Sequence, residues 1–357
     1  MSTSTSAPTP SSSSATPPTP IIVWCHPRSC STAFERALMQ RSDTHVFHEP
    51  LGDPFYYSQS RACNRYDDDT CRATEHWNTT LESVTRSLLV ASPDAATRPE
   101  SLAPNKQWPP KYVFIKDMAQ YIFPADRLRR LHPESKVYPA TKSNSVPSTP
   151  QLHQSGDYDP LENPTVLPTW LLRRFKHTFL IRTPEKSVPS YWKCVEEKAA
   201  GFEYFDGAEA GYAELRILYD WLANPKSTFN TYSASPDDES SRPGTLQHQP
   251  LPPPLIDAKV LLAHPEHTVS QYCHAVGIPF DRQMLSWESG PVEEWKKWGT
   301  YHKGAENSTG FQNQAPEPAQ QNGGDKKKPL PRDVEQTIEA CMADYQYLAE
   351  RTTIKEP

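Results

Sequence analysis

A chain of 357 residues is long enough to bury a sizeable core, as one large domain or two small ones. Its 38 prolines, its 36% hydrophobic residues and a mean hydropathy of -0.73 exclude dense packing throughout and point to long loops or disorder. A net charge of -6 gives no general attraction to nucleic acid or to an acidic membrane, so any phosphate chemistry must rest on local basic residues.

Residues 1–20 are rich in Ser, Thr and Pro, uncharged, and without the apolar stretch of a secretory signal; they read as a disordered tail. Short apolar runs follow at 21–25, 45–48, 112–115, 177–181 and 255–262, each bounded by turn residues and most too apolar for a half-exposed strand. Such runs suit a parallel sheet covered on both faces. Helical patterns occupy 32–41, 81–90, 184–198, 208–222 and 265–276, and a last one, 332–351, sets Val334, Ile338, Cys341, Met342, Tyr345 and Leu348 on one face. The alternation predicts an α/β fold, doubly wound, with a mostly parallel five-stranded sheet flanked by helices. The domain spans 21–311, with Pro/Ser-rich insertions near 91–110, 135–168 and 224–253. A linker at 312–329 follows, then a helix within 330–357 that packs on the domain.

No apolar run approaches the roughly 20 residues that cross a bilayer, so no membrane partner is expected. Seven cysteines, an odd number without paired spacing, predict reduced thiols and a cytoplasmic protein, with the sequons at Asn78 and Asn307 as chance matches. His264, His267, Cys273 and His274 lie on and before one helix with no second pair, and no structural metal is expected from them.

Two segments carry the chemistry. The first strand runs into Pro27-Arg28-Ser29-Cys30-Ser31-Thr32 and then into a helix. A helix start offers unpaired N–H groups and the positive end of a dipole, and Arg28 with the hydroxyls of Ser29, Ser31 and Thr32 adds donors for an anion. A simple N-cap by Ser31 or Thr32 is the plainer alternative. The loop lacks G-K-[ST], and no later strand supplies an obvious acidic magnesium ligand, which disfavours an NTPase. In the second segment, an apolar strand ends at Arg182, a helix opens with Pro184, and Ser190 precedes Tyr191-Trp192.

The hexapeptide 27–32 resembles the 5′-phosphosulfate loop of sulfotransferases, typically P-[KR]-S-G-[ST]-T, with Cys30 in place of the usual glycine. The second segment resembles the family's 3′-phosphate motif, a strand-end Arg and a Ser before Tyr, which assigns Arg182 and Ser190 to that phosphate. Lys303-Gly304 is similar to the family's basic-Gly loop, and residues 255–281 read like its final strand, helix and turn.

The resemblance implies a P-loop NTPase-like fold and 3′-phosphoadenosine 5′-phosphosulfate (PAPS) as co-substrate, with no metal. Arg28, Ser29, Cys30, Ser31, Thr32, Arg182, Ser190 and Lys303 would hold the nucleotide. The acceptor would be a hydroxyl or amine of a small molecule, with secondary metabolites as one class. In several branches a Glu at the end of the second strand is the base, which points to Glu49, with His48 beside it facing the other way. Cytosolic-type members place a catalytic His near the end of the third strand, where this chain has Lys116-Asp117-Met118. Asp117 is therefore the alternative base, and Lys116 a cation for the bridging oxygen or sulfonate. Residues 287–298, with Trp287, Trp295 and Trp298, line an acceptor pocket or pack into the core. Another P-loop-fold phosphotransferase or NTPase, and a catalytically degenerate nucleotide-binding relative, are the rival functions.

Overall fold

The fold is built outward from one strand, β1 (Thr19–Cys25), in which every residue from Pro20 on is buried. A strand buried on both faces and both edges has to lie inside a sheet. In the computed structural model, which describes residues 17–90, 104–138, 159–233, 245–311 and 329–357, β1 pairs in parallel with β3 (Tyr112–Met118) and with β4 (Lys176–Ile181). Adding β2 (Thr44–His48) outside β3 and β5 (Leu255–Asp257) outside β4 gives the order β2-β3-β1-β4-β5, all parallel. This is the doubly wound α/β sheet that the sequence predicts. The carboxyl ends of the strands share one edge, and the chain leaves β1 toward β2 on one side while β3 connects to β4 on the other. A crevice at such a reversal is where open α/β sheets bind ligands.

Helix α1 (Ser31–Met39) follows β1 after the turn 26–30 and buries Phe34, Ala37 and Leu38 against the sheet. Helix α2 (Pro184–Glu196) starts with proline at its first turn, and Pro189 inside it removes one backbone donor just before Ser190. Helix α3 (Tyr212–Ala223) packs with helix α4 (Arg332–Glu350), joined by Arg216 to Asp344 at 2.8 Å, while Val334, Cys341 and Leu348 of α4 are buried.

Three expectations need correction. The apolar run 255–262 is not one strand. Its extended part stops at Asp257, whose carboxylate accepts from the Lys259 N–H at 2.8 Å and caps a helix, Ala258–Ala263. The helix read over 208–222 is broken at Gly211, whose φ of 71° is left-handed and whose missing Cβ makes room for the Gln120 side chain. The insertions are also not wholly peripheral: Leu167 and Phe229 are fully buried in the core. Residues 1–16, 91–103, 139–158, 234–244 and 312–328, which hold most of the expected tail, insertions and linker, lie outside the described residues. Among the described residues no helix is long and apolar enough to cross a membrane.

Candidate functional site

The turn between β1 and α1 has an unusual backbone. Arg28 and Cys30 both have positive φ, 64° and 68°, and the left-handed Cys30 stands at the N-cap of α1. L-residues resist this conformation, and alternating hands around a turn curl the backbone into an anion-receiving concavity. A glycine at position 30 would adopt it without cost. Burial pushes the Cys30 thiol up, so it stays protonated at neutral pH.

Residues far apart in sequence close on this turn. Arg28 Nε donates to Ser190 Oγ of α2 at 3.0 Å, and its guanidinium also reaches the Tyr301 carbonyl. The Arg182 guanidinium donates to the Arg28 carbonyl at 3.1 Å, and the Arg182 N–H donates to His26 Nε2 at 3.0 Å. His26 can accept because burial lowers its pKa to about 3. Thr32 lies in the first turn of α1, with Oγ1 3.1 Å from His302 Nδ1.

On the opposite wall, Glu49 follows β2 with a positive φ of 46° and is buried. Its Oε1 pairs with Lys116 Nζ of β3 and lies 3.7 Å from His48 Nε2. Burial works to raise the Glu49 carboxyl, but Lys116 and His48 outweigh it and hold the group below the ordinary carboxylate range. For Lys116, burial works downward and Glu49 more than compensates, so the ammonium is kept. Lys297, paired with Asp53 nearby, is lowered by burial to about 8 against the pull of Glu49.

Between the two walls lies a cavity of about 200 Å³. Arg28, Cys30, Ser31, Thr32 and Arg182 line one side; Glu49 and Lys116 line the other, with Tyr56, Tyr121 and Trp298. Other sequence-selected residues stand apart from that lining. Ser29 is buried with its hydroxyl unpartnered, Ser190 reaches the loop through Arg28, and Lys303 is exposed. Strand alternation turns Asp117 away from Lys116, and its two oxygens accept the N–H groups of Leu51 and Met118, each at 2.9 Å. Burial pushes its pKa well up. The geometry thus brings Glu49 to the cavity and leaves Asp117 as a backbone clamp, which removes the ground for Asp117 as alternative base. Of the tryptophans, Trp298 lines the cavity while Trp287 and Trp295 are buried in the packing around it.

Sequence reasoning missed His302, Glu35 and Glu209. Buried Glu209 accepts from Tyr191 Oη at 2.5 Å and Tyr56 Oη at 3.2 Å and pairs with Arg65. Nothing in its local pattern marks it. His302 adjoins Lys303, so the basic-Gly match pointed one residue past it. His48, Glu49 and His302 bring donor atoms within 4.8 Å of one another, a set with ligand chemistry. Those atoms are engaged by protein partners: Lys116 holds Glu49 Oε1, and the two Nε2 atoms face each other at 3.1 Å.

A family model described as a sulfotransferase domain matches residues 245–331. Sulfotransferase ppzF of Metarhizium majus is 28% identical over 185 residues, 52% of this chain and 50% of that protein. The homologue of that name from Metarhizium rileyi is 30% identical over 132 residues, 37% of this chain and 36% of that protein. Branched-chain-amino-acid aminotransferase-like protein 1 of Arabidopsis thaliana is 32% identical over 148 residues, 41% of this chain and 20% of that protein. The matched stretches therefore span half or less of these relatives. Among solved structures, the sulfotransferase domain from the Synechococcus PCC 7002 olefin synthase aligns at 12% identity with a TM-score of 0.32, covering 91% of this chain and 94% of that one.

Proposed function

We propose that this chain, a member of the sulfotransferase family, moves a sulfonate group from PAPS to a hydroxyl or amine of a small-molecule acceptor. One observation carries the reading: Arg28, Ser190 and Arg182 meet at a single left-handed turn that forms one wall of a cavity whose other wall is the Glu49–Lys116 pair. The turn offers a cradle for the 5′-phosphosulfate, and the strand-end Arg182 with Ser190 offers the second anion contact that a 3′-phosphate requires. The left-handed hands of Arg28 and Cys30 and the convergent cations are what a two-phosphate nucleotide would fit.

In this reading the acceptor enters beside Tyr56, Tyr121 and Trp298 and donates its hydroxyl proton to Glu49. Its oxygen bonds to sulfur as the bond from sulfur to the bridging oxygen breaks, and the electron pair leaves on the 5′-phosphate. Lys116 and Arg28 neutralise the charge that builds on the sulfonate and bridging oxygen. Glu49 can serve as base once Lys116 turns from it toward that charge, because the loss of its cation raises its basicity. Acceptor choice rests on the aromatic wall. A cytoplasmic setting belongs to the same proposal, on the ground of seven free thiols.

The test is binding of adenosine 3′,5′-bisphosphate by calorimetry, followed by mass spectrometry of acceptor mixtures incubated with PAPS. Wild-type protein is expected to bind, and Arg28→Ala and Arg182→Ala to weaken binding at least tenfold, about 1.4 kcal/mol each. No binding by the folded wild-type protein refutes the reading.

A further inference from the structure

The acceptor side of the cavity holds a polar side chain with no partner. Gln120 stands on the 3-10 turn Ala119–Ile122 that follows β3, next to Tyr121 of the aromatic wall, and it lines the cavity at 1% exposure. Its Oε1 is sealed from solvent and unpartnered, and among the described residues no hydrogen bond holds its Nε2 either. A buried amide with neither end paired is rare, because it has given up water and gained nothing in return. Gly211, at the N-cap of α3, lies against Oε1, and a Cβ there would collide with that oxygen. The packing thus seats Oε1 against the backbone and leaves the two Nε2 hydrogens as the end that faces the cavity.

The other polar groups around this wall are already matched. Glu49 is paired with Lys116, and Lys297 with Asp53. Glu209 accepts from the hydroxyls of Tyr191 and Tyr56 at 2.5 and 3.2 Å, and Arg65 Nε reaches both of its oxygens at 3.1 and 3.2 Å. Behind them Glu35 accepts from the Trp295 indole at 2.9 Å and lies 2.7 Å from His48 Nδ1. Tyr301 also has an unpartnered hydroxyl, but it belongs with the anion turn, the Arg28 guanidinium being 6.0 Å from its ring centre.

These facts put requirements on the acceptor. Since the charges around the wall are matched, a charged acceptor would bring a buried charge with no counter-ion, and a neutral one brings none. An amine arrives as an ammonium, which has no lone pair to attack with and meets Lys116; a hydroxyl arrives neutral with its lone pairs ready. The open N–H donors of Gln120 call for an accepting atom, and with charge excluded that atom is a carbonyl oxygen rather than a carboxylate. The rings of Tyr56, Tyr121 and Trp298 offer flat apolar faces, which suit an aromatic ring. Lys116 and Gln120 are four residues apart, so their Cα atoms lie within about 14 Å of each other. One ring with a short arm bridges that span once the two side chains reach inward.

We propose that the acceptor is an uncharged phenol with a carbonyl group at its far end, and that Gln120 is the specificity-determining residue that donates to that carbonyl. The inference deepens the proposed function and rests on its placing of the acceptor beside Tyr56, Tyr121 and Trp298, but not on PAPS as the donor.

Four probes share one phenol and differ in the tail: 4-hydroxyphenylacetamide, 4-ethylphenol, tyramine and 4-hydroxyphenylacetate. At pH 7 their phenols are un-ionised, and the tails are a neutral carbonyl, an apolar group, a cation and an anion. Affinity is read by NMR titration with and without adenosine 3′,5′-bisphosphate, and turnover by mass spectrometry with PAPS. The amide is expected to bind about tenfold more tightly than 4-ethylphenol, with both charged probes weaker than either. In Gln120→Met, and in Gln120→Leu as a second apolar replacement, the advantage of the amide should disappear while 4-ethylphenol binds at least as well as before. Each ratio is taken within one protein, so a general loss of fold does not mimic the effect, and the wild-type ratios alone can overturn the proposal. Equal wild-type binding of the amide and 4-ethylphenol, which would mean that water serves Gln120, overturns it. So does tighter binding of tyramine or 4-hydroxyphenylacetate, an amide advantage that survives either replacement, or no binding of the amide in either condition. Amide-selective binding without PAPS-dependent sulfonation would refute the donor and keep the acceptor class. Sulfonation of the four probes with no preference for the amide would keep the donor and refute the acceptor class.

Discussion

Arg28, Cys30 and Glu49 share an improbable backbone, and all three border the cavity. Left-handed φ costs an ordinary residue about 1–2 kcal/mol, and strain of that kind persists where surrounding contacts over-determine it. Arg28 is held by Ser190 and Arg182, and Glu49 by Lys116. Removing Lys116 alone leaves a buried carboxylate without its cation. Lys116→Met is therefore expected to lose about 3–5 kcal/mol of stability near neutral pH, and Lys116→Met/Glu49→Gln to recover much of it, as read by urea denaturation. The sign with pH is fixed by the depressed Glu49 pKa. The pair's contribution is full above the ordinary carboxylate value of 4.5 and fades as pH falls below it through the folded value. Glu49→Gln should flatten that part of the acid limb. At this scale the sequence-selected residues that line the cavity, Arg28, Glu49, Lys116 and Arg182, lie near or just beyond the carboxyl ends of strands. Asp117 misled because adjacent strand residues look equivalent in a string and point to opposite faces in a sheet. His302 and Glu35 were silent, since a buried histidine pair has no local signature.

The elements were legible to the extent that apolar period and turn residues agree. The first four strands and the helices α1, α2 and α4 lie within a few residues of where their patterns place them, and β5 starts where its run does. The pattern failed where a single polar group overrides it: Asp257 caps a helix inside an apolar run, and Gly211 with Gln120 breaks an amphipathic one. The β5 edge shows why α4 matters. Beyond that helix, Thr353 accepts from the Leu255 N–H with its hydroxyl at 2.9 Å and donates its own N–H to the Leu255 carbonyl at 3.1 Å. The chain after α4 thus occupies an edge that would otherwise present unpaired backbone. Leu348, at 0% exposure, anchors the helix that delivers it. Leu348→Ala is expected to cost about 2–5 kcal/mol and to speed exchange of the Leu255 amide, measured by thermal unfolding and hydrogen exchange.

Across the whole molecule, the cavity is closed by residues 286–311, laid over α1. Arg36 holds this strap through the carbonyls of Ala305 and Glu288, each at 2.5 Å, and Gly290 at 3.4 Å. The strap is tied again where Ser286 bridges Gly310. Such contacts join positions more than 250 residues apart, and no local pattern encodes them, which is why the sequence offered two readings of the tryptophan segment and the structure uses both. Arg36→Ala should leave the sheet folded and loosen the strap. Limited proteolysis is expected to cut within 288–305 several times faster than in wild type, with adenosine 3′,5′-bisphosphate restoring protection.

The position of β1 has a consequence for how the chain is made. Its apolar residues are made before the strands that cover its two edges, which begin only at Tyr112 and Lys176. During synthesis the run Ile21–Cys25 must wait, sticky and unpaired, until both neighbours have left the ribosome. The strand that leads into the Arg28–Cys30 turn is therefore exposed to other chains for that interval. A substitution there that leaves the finished fold intact can still lower the yield of folded protein.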